Sequence, residues 1–180
     1  MAAPPWLPLA VLAVTAWILT RGGGDDTPRG AKAATRATAE ERDYVTSSVA
    51  ALGWPKGEVD RVIRNESGWV PSAVNPHGNA VGLIQFMPRT LKAYGYPGDW
   101  RNFRHLSARE QTPYIVRHFR SFRWRQPGDT YVATAWPAAL GKDDGYIVAK
   151  PGTPAWRANP TLRESKTGPI TAGSIRRRIL

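Results

Sequence analysis

A mainly α-helical domain with little or no sheet, preceded by an N-terminal transmembrane helix, is the fold that this sequence predicts. Three observations predict it. Val59, Val62, Ile63 and Glu66 fall at i, i+3, i+4 and i+7, the spacing of one helical face. Thr38-Ala39-Glu40-Glu41 and Ser107-Ala108-Arg109-Glu110 each have the form of a capping box, in which side chains and backbone donors satisfy one another at a helix start. Residues 4–20 carry no charge and, at about 25 Å when helical, approach the ~30 Å hydrocarbon core of a bilayer.

The elements follow in order. Trp6 and Trp17 sit near the two ends of the apolar stretch, where interfacial anchors belong, although Pro4, Pro5 and Pro8 delay the helix start. A cleaved signal peptide ending at Val14 and Ala16 is the competing reading, but no Lys or Arg precedes the apolar core. Residues 1–21 are therefore expected to form a membrane anchor and 22–37, rich in glycine and small polar residues, a flexible linker. Arg21, Arg29, Lys32 and Arg36 all follow the anchor, so the positive-inside rule places the domain on the cytoplasmic side.

The folded domain is expected over 38–150, with 151–180 as an extension packed on it or trailing from it. Val45, Val49 and Leu52 give a first helical stripe, which Gly53 closes. Pro55 opens the helix that carries Glu66, with Glu58 and Asp60 suiting its dipole and Gly68 as a left-handed cap. Residues 69–82 read as loop, and Pro88 begins a short helix that Gly95 caps. Gln111, Ile115, His118, Phe119 and Phe122 continue a further helical face, on which His118 reads as a packed core residue and which Pro113 should kink or loosen. A short helix over 130–136 follows, capped by Asp129. Beyond 142 only 169–180 looks helical, and Arg176-Arg177-Arg178 reads as a solvated basic end.

Composition narrows the chemistry. The chain has 180 residues with 25 Lys+Arg against 14 Asp+Glu, a net charge of +11, and this surface favours polyanions such as nucleic acid, anionic lipid or an anionic wall polymer. No nucleic-acid-binding module or reader helix accompanies it, so no specific nucleic-acid partner is expected. Cysteine is absent and the three histidines are far apart, which excludes a thiolate site and gives no metal-ligand spacing; neither a metal nor a cofactor is expected.

Glu66 is the residue that stands out. A carboxylate that ends an apolar stripe is costly to bury without a partner, and Arg61 and Arg64 are placed to point elsewhere. Desolvation raises the pKa of such a carboxyl and suits it to general acid work near neutral pH.

Glu66-Ser67-Gly68-Trp69, followed by Ala73-Val74-Asn75-Pro76 and Gly82-Leu83-Ile84-Gln85-Phe86-Met87-Pro88, resembles the lytic transglycosylases of the soluble lytic transglycosylase (SLT) domain family. The GLIQFMP wording is most similar to the phage virion-associated members. The likeness covers about 59–141, thins through the tail and leaves 1–37 untouched. It implies a lysozyme-like helical fold that cleaves the β-1,4 bond between N-acetylmuramic acid and N-acetylglucosamine with a single acid, here Glu66. Glu66 would protonate the glycosidic oxygen and then, as a base, take the proton of the muramyl 6-hydroxyl as a 1,6-anhydro ring closes. The same resemblance implies that Ser67 hydrogen-bonds the substrate or orients Glu66 and that Gln85 binds the sugar chain beside it; Phe86 and Trp136 read either as further substrate contacts or as core packing, and Tyr131 as a further substrate contact.

Trp69, Leu83 and Ile84 read as core. The family's third motif is usually Ala-Tyr-Asn; here Ala135-Trp136-Pro137-Ala138-Ala139-Leu140-Gly141 replaces it, so either Tyr131 supplies the hydroxyl or this branch works without one.

The leading expectation is a membrane-anchored enzyme acting on peptidoglycan glycan strands. Its lipid contact would be the N-terminal segment, its location a virion membrane or bacterial inner membrane, and its further partners virion structural proteins. A hydrolytic muramidase is the enzymatic rival, because Asp99, Asp143 and Asp144 remain available as a second acid. A non-catalytic wall-binding protein is the alternative from another class. A nucleic-acid-binding or membrane-fusion protein rests only on charge and the apolar N-terminus.

Overall fold

The computed structural model describes residues 35–75 and 78–180. The expected anchor, most of the linker, and Pro76 and His77 lie outside the described residues. Among the described residues no helix is long and apolar enough to cross a membrane.

The domain is mainly helical, with one small two-stranded sheet, as fits a lysozyme-like domain. Helix α1 (Ala39–Ala50) starts at the Thr38–Glu41 capping box and packs on α2 (Lys56–Ser67) and α4 (Ala108–Arg120). Its entry is already part of the fold. Ala37, expected to end the linker, is buried, and its N–H donates to the Trp69 carbonyl at 2.8 Å. Helix α3 (Pro88–Ala93) begins at its proline, and α4 begins at the Ser107–Glu110 box and continues through Pro113. Helix α5 (Asp129–Ala135) packs on α2.

The segment after 142 is built differently from the sequence expectation. Strand β1 (Ile147–Ala149) pairs antiparallel with β2 (Ile170–Thr171) across a register irregularity, and α6 (Pro154–Ala158) lies between them. Helix α7 (Ala172–Arg176) runs into a 3₁₀ turn, Arg177–Ile179. Strands of two and three residues are too short to leave an alternating pattern in the sequence.

Two hydrophobic clusters share α2. Val59 and Ile63 join Val45, Val49, Trp54, Leu83, Phe86, Ile115 and Phe119 on one side. Val62 joins Tyr131, Val132, Leu162, Ile170, Ile175 and Ile179 on the other. Burying a side chain such as Ile63 contributes about 2–3 kcal/mol. The face of α2 that ends in Glu66 is therefore held by both clusters, and the second consists largely of residues from 131–179.

The tail is not a solvated basic end. Arg176 is 2% exposed; its Nε donates to Asp129 Oδ1 at 2.8 Å, Nη1 pairs with Asp144, and Nη2 donates to the Lys142 carbonyl at 2.8 Å. Buried guanidinium groups persist where their donors are satisfied in this way. Arg177 alone of the three keeps the expected exposed position, 3.4 Å from Glu164.

Candidate active site

The site is assembled from the last turn of α2, the first turns of α5 and the C-terminal turn. Helix α2 ends where Gly68 adopts φ 61° and its N–H donates to the Arg64 carbonyl. Trp69 continues in the left-handed region at φ 64°, a conformation costly for a bulky side chain. Its ring compensates: it is 1% exposed and its Nε1 donates to Asp60 Oδ1 at 2.9 Å, while the other Asp60 oxygen accepts from Arg64 at 2.8 Å. The turn after Glu66 is thus tied back onto α2. Asp60 serves this lock as well as the helix dipole.

Glu66 is 3% exposed, and its Oε1 has no hydrogen-bond partner among the described residues. Burial raises its pKa to about 7, against the opposing pull of the Tyr131 hydroxyl, the Arg178 charge and the Asn65 amide. Tyr131 is fully buried on α5. Its hydroxyl oxygen accepts from Asn65 Nδ2 at 2.9 Å. Its own proton is then left to donate toward the carboxyl. Burial first, then the Glu66 charge, holds the tyrosine well above its ordinary pKa, so it serves as a neutral donor.

Helix α5 is held in place by residues that the sequence reading assigned elsewhere. Glu58 was expected to serve only the start of its own helix. It is buried instead, and accepts from the Gly128 N–H at 3.1 Å and from Thr130 Oγ1 at 2.6 Å. Asp129, expected as the cap of α5, occupies its first turn after Gly128; its Oδ2 accepts from the N–H groups of Arg125 and Gln126, and Oδ1 from Arg176. A buried acid on one helix thus orients the start of another, and Tyr131 lies two residues after that start.

The remaining expected residues are distributed as follows. Ser67, the last residue of α2, is half-buried and donates from Oγ to the Ile63 carbonyl at 3.1 Å. Gln85 has φ 53° in a tight loop whose flanks, Val81 and Phe86, exchange backbone hydrogen bonds. Its Nε2 donates to the Gly82 carbonyl at 2.9 Å, and it is half-buried. Phe86, expected at the sugar, is instead 3% exposed and packed edge-on against Phe103, Tyr94 and His118. The hairpin turns this position inward. Trp136 is half-buried at the end of α5, against the second cluster. Leu83, Ile84 and Trp69 are core, as expected.

Two buried polar residues complete the support. Gln111 accepts from the Leu83 N–H at 2.9 Å and donates to the Pro71 and Leu106 carbonyls, so α4 fixes the loop that carries Gln85. Sequence periodicity marked Gln111 only as part of a helical face. His118 lies between the Tyr94 hydroxyl at 3.1 Å and the Ala133 carbonyl at 3.0 Å. The carbonyl can only accept, so Nε2 carries the proton and Nδ1 receives the tyrosine. Burial lowers its pKa to about 4, which keeps the ring neutral.

The acids left open as a second carboxylate are paired with arginine or exposed to solvent. Asp99 is exposed and accepts from the Arg101 N–H at 2.8 Å; Asp144 pairs with Arg176; Asp143 is exposed. Among the described residues the groups that act on Glu66 include no second carboxylate. Nor do three or more His, Cys, Asp or Glu side chains gather there to hold a metal ion. A cavity of about 620 Å³ lies against α3 and α4, lined by Tyr94, Pro113, Val116, Arg117 and Arg120 among others, but none of the expected site residues lines it.

The arrangement can deliver a proton from a buried carboxyl and stabilise the anion left behind. No curated protein and no solved structure matches the chain. Residues 43–109, which include Glu66 and the Gln85 loop but neither Tyr131 nor Arg178, match the Transglycosylase SLT domain family and support placement in it.

Proposed function

We propose that this protein is a peptidoglycan lytic transglycosylase in which Glu66 serves in turn as general acid and general base. The observation that carries the reading is a buried carboxyl, poised at about 7, with one oxygen free of any partner among the described residues. Protonated Glu66 gives its proton to the oxygen between N-acetylmuramic acid and N-acetylglucosamine, and the C1–O bond breaks. The muramyl 6-hydroxyl oxygen then bonds to C1, and its proton passes to the Glu66 carboxylate. No water enters and the acid is regenerated. A group that titrates near the working pH serves both half-reactions.

The SLT-domain match supports the substrate class, and the single carboxylate agrees with a scheme that uses no second acid. Ser67, Gln85 and Trp136, each half-buried, are proposed as glycan contacts. The N-terminal apolar stretch is read as a single-pass anchor that keeps the enzyme at a bacterial inner membrane or in a virion membrane, for local wall opening or phage genome entry. Protease protection of a C-terminal tag in membrane vesicles tests that part.

The decisive experiment digests purified sacculi with the full chain, with Glu66→Gln as control, and identifies products by mass spectrometry. Products ending in 1,6-anhydromuramic acid, absent with the variant, are expected. Reducing-end products would instead establish a hydrolase, and retained binding without products a non-catalytic wall protein.

A further inference from the structure

Three consecutive arginines at the C-terminus have three different environments. Arg176 is buried in ion pairs, Arg177 is exposed, and Arg178 is half-buried with its Nε shielded from solvent and without a hydrogen-bond partner among the described residues. The turn that carries Arg178 packs directly on α2. It is fixed on both sides, by Arg176 at 2% exposure and by Ile179 at 4%, which lies in the same cluster as Val62 and Tyr131. An unpartnered buried N–H is costly, and so is an unpartnered carboxyl oxygen. Glu66 Oε1 on α2 and Arg178 Nε on the turn that packs against α2 are one of each.

The groups that act on Glu66 are the Tyr131 hydroxyl from α5, Arg178 from the C-terminal turn and Asn65 from α2 itself. Tyr131 and Asn65 are neutral. Among the described residues Arg178 is the cation of the set, and its charge favours the anion of Glu66 and of Tyr131 alike. Attraction between charges is strong where water is excluded.

We propose that Arg178 is a positioning residue of the site, a cation brought by the C-terminal turn to stabilise the Glu66 carboxylate between its two proton transfers. This rests on the reading of Glu66 as the acid–base group. It also gives the ion pairs of Arg176 a function, since they seat the turn that carries Arg178 against α2. The SLT-domain match ends at residue 109, so this contribution comes from outside the matched region.

The test compares full-length wild type, Arg178→Met, Arg178→Gln and Arg178→Lys by two measurements. The first is a ¹³C NMR titration of the Glu66 carboxyl, identified by its loss in Glu66→Gln. The second is initial rates on solubilised glycan strands. With the neutral variants the titration is expected to move to higher pH and kcat to fall on the order of ten-fold with KM nearly unchanged, while Lys stays close to wild type. A purely structural role would not be rescued by charge. An unchanged titration in a folded neutral variant, equal behaviour of Gln and Lys, or a raised KM with kcat intact would each overturn the proposal. A titration that moves in a protein that releases no anhydro-products would uphold the Arg178–Glu66 coupling while removing the transglycosylase reading.

Discussion

The side-chain amide of Asn65 donates to the hydroxyl of Tyr131 at 2.9 Å, joining the last turn of α2 to α5 beside the buried Glu66 carboxyl. Because Asn65 supplies a proton to the tyrosine oxygen, the phenolic proton is directed away from it, toward the acid.

Replacing Tyr131 by Phe removes that donor and keeps the ring packed. Loss of one preorganised donor to a developing anion costs roughly 10²-fold in kcat, with KM little changed. Stability should fall by only about 1 kcal/mol, since the half-buried Asn65 amide can turn to solvent. Rates on glycan strands and thermal unfolding check both parts. A Tyr131→Phe enzyme with wild-type kcat would show that the hydroxyl takes no part in proton transfer.

Glu66→Gln should abolish activity and stabilise the fold at alkaline pH. Below pH 4.5 the carboxyl is protonated in both the folded and the unfolded chain. Between 4.5 and about 7 the unfolded chain releases the proton and the folded one keeps it, so stability is lost as pH rises through that window. The variant should therefore exceed wild type by at most about 3 kcal/mol at pH 8 and match it at pH 4. His118 works in the opposite sense. It binds a proton below 6.5 when unfolded and only near 4 when folded, so its contribution is lost as pH falls from 6.5 toward 4. Denaturant unfolding across pH 4–8 should show the two slopes offsetting in wild type, and a stability that rises with pH in the variant. In the enzyme, kcat/KM should fall as pH rises through about 7. A variant no more stable than wild type at pH 8 would mean that Glu66 is not destabilised by burial.

How much of this was legible follows from where the information lies. Both capping boxes, the face of α2 and the left-handed Gly68 are local in sequence, and all three occur as read. Glu66 was legible because a carboxyl on an apolar stripe breaks the local rule. What could not be read was which distant groups meet it. Asn65 and Tyr131 are 66 residues apart, and Glu58 and Thr130 are 72 apart. A buried Glu58 and a dipole-serving Glu58 leave the same letter at a helix start. Arg176 is misread for the same reason, since only the fold reveals Asp129 and Asp144 around it. Whether Phe86 faces the core or the surface could not be read, because a one-residue change of facing in a hairpin separates a surface ring from a core ring.

Arg176→Met should be severely destabilising. It leaves Asp129, fully buried, without its cation, and removal of one partner of a buried pair costs about 3–5 kcal/mol. Adding Asp129→Asn should recover part of that loss, because the amide carries no uncompensated charge. The coupling energy from a double-mutant cycle of unfolding free energies measures the pair. Additive effects would mean that the buried pair contributes nothing beyond the separate side chains.

Gly128 is where the tail meets the start of α5, and it should not tolerate a side chain. Its φ is 85°, and a Cβ there would come within 2.5 Å of the Arg176 Cβ and 2.7 Å of its Cα and carbonyl oxygen. Left-handed backbone at a non-glycine residue costs about 1–2 kcal/mol by itself. The clash is with backbone, so the C-terminal segment must also move away, and with it Arg178 and the support of α5. Gly128→Ala is therefore expected to lose more stability than the backbone conformation alone accounts for. Amide exchange over 170–180 should quicken, and activity should fall, although glycine has no side chain to offer a substrate. If exchange in that segment stays slow and only the backbone penalty appears, the tail does not depend on close contact at Gly128. The link from that contact to the environment of Glu66 would then be broken.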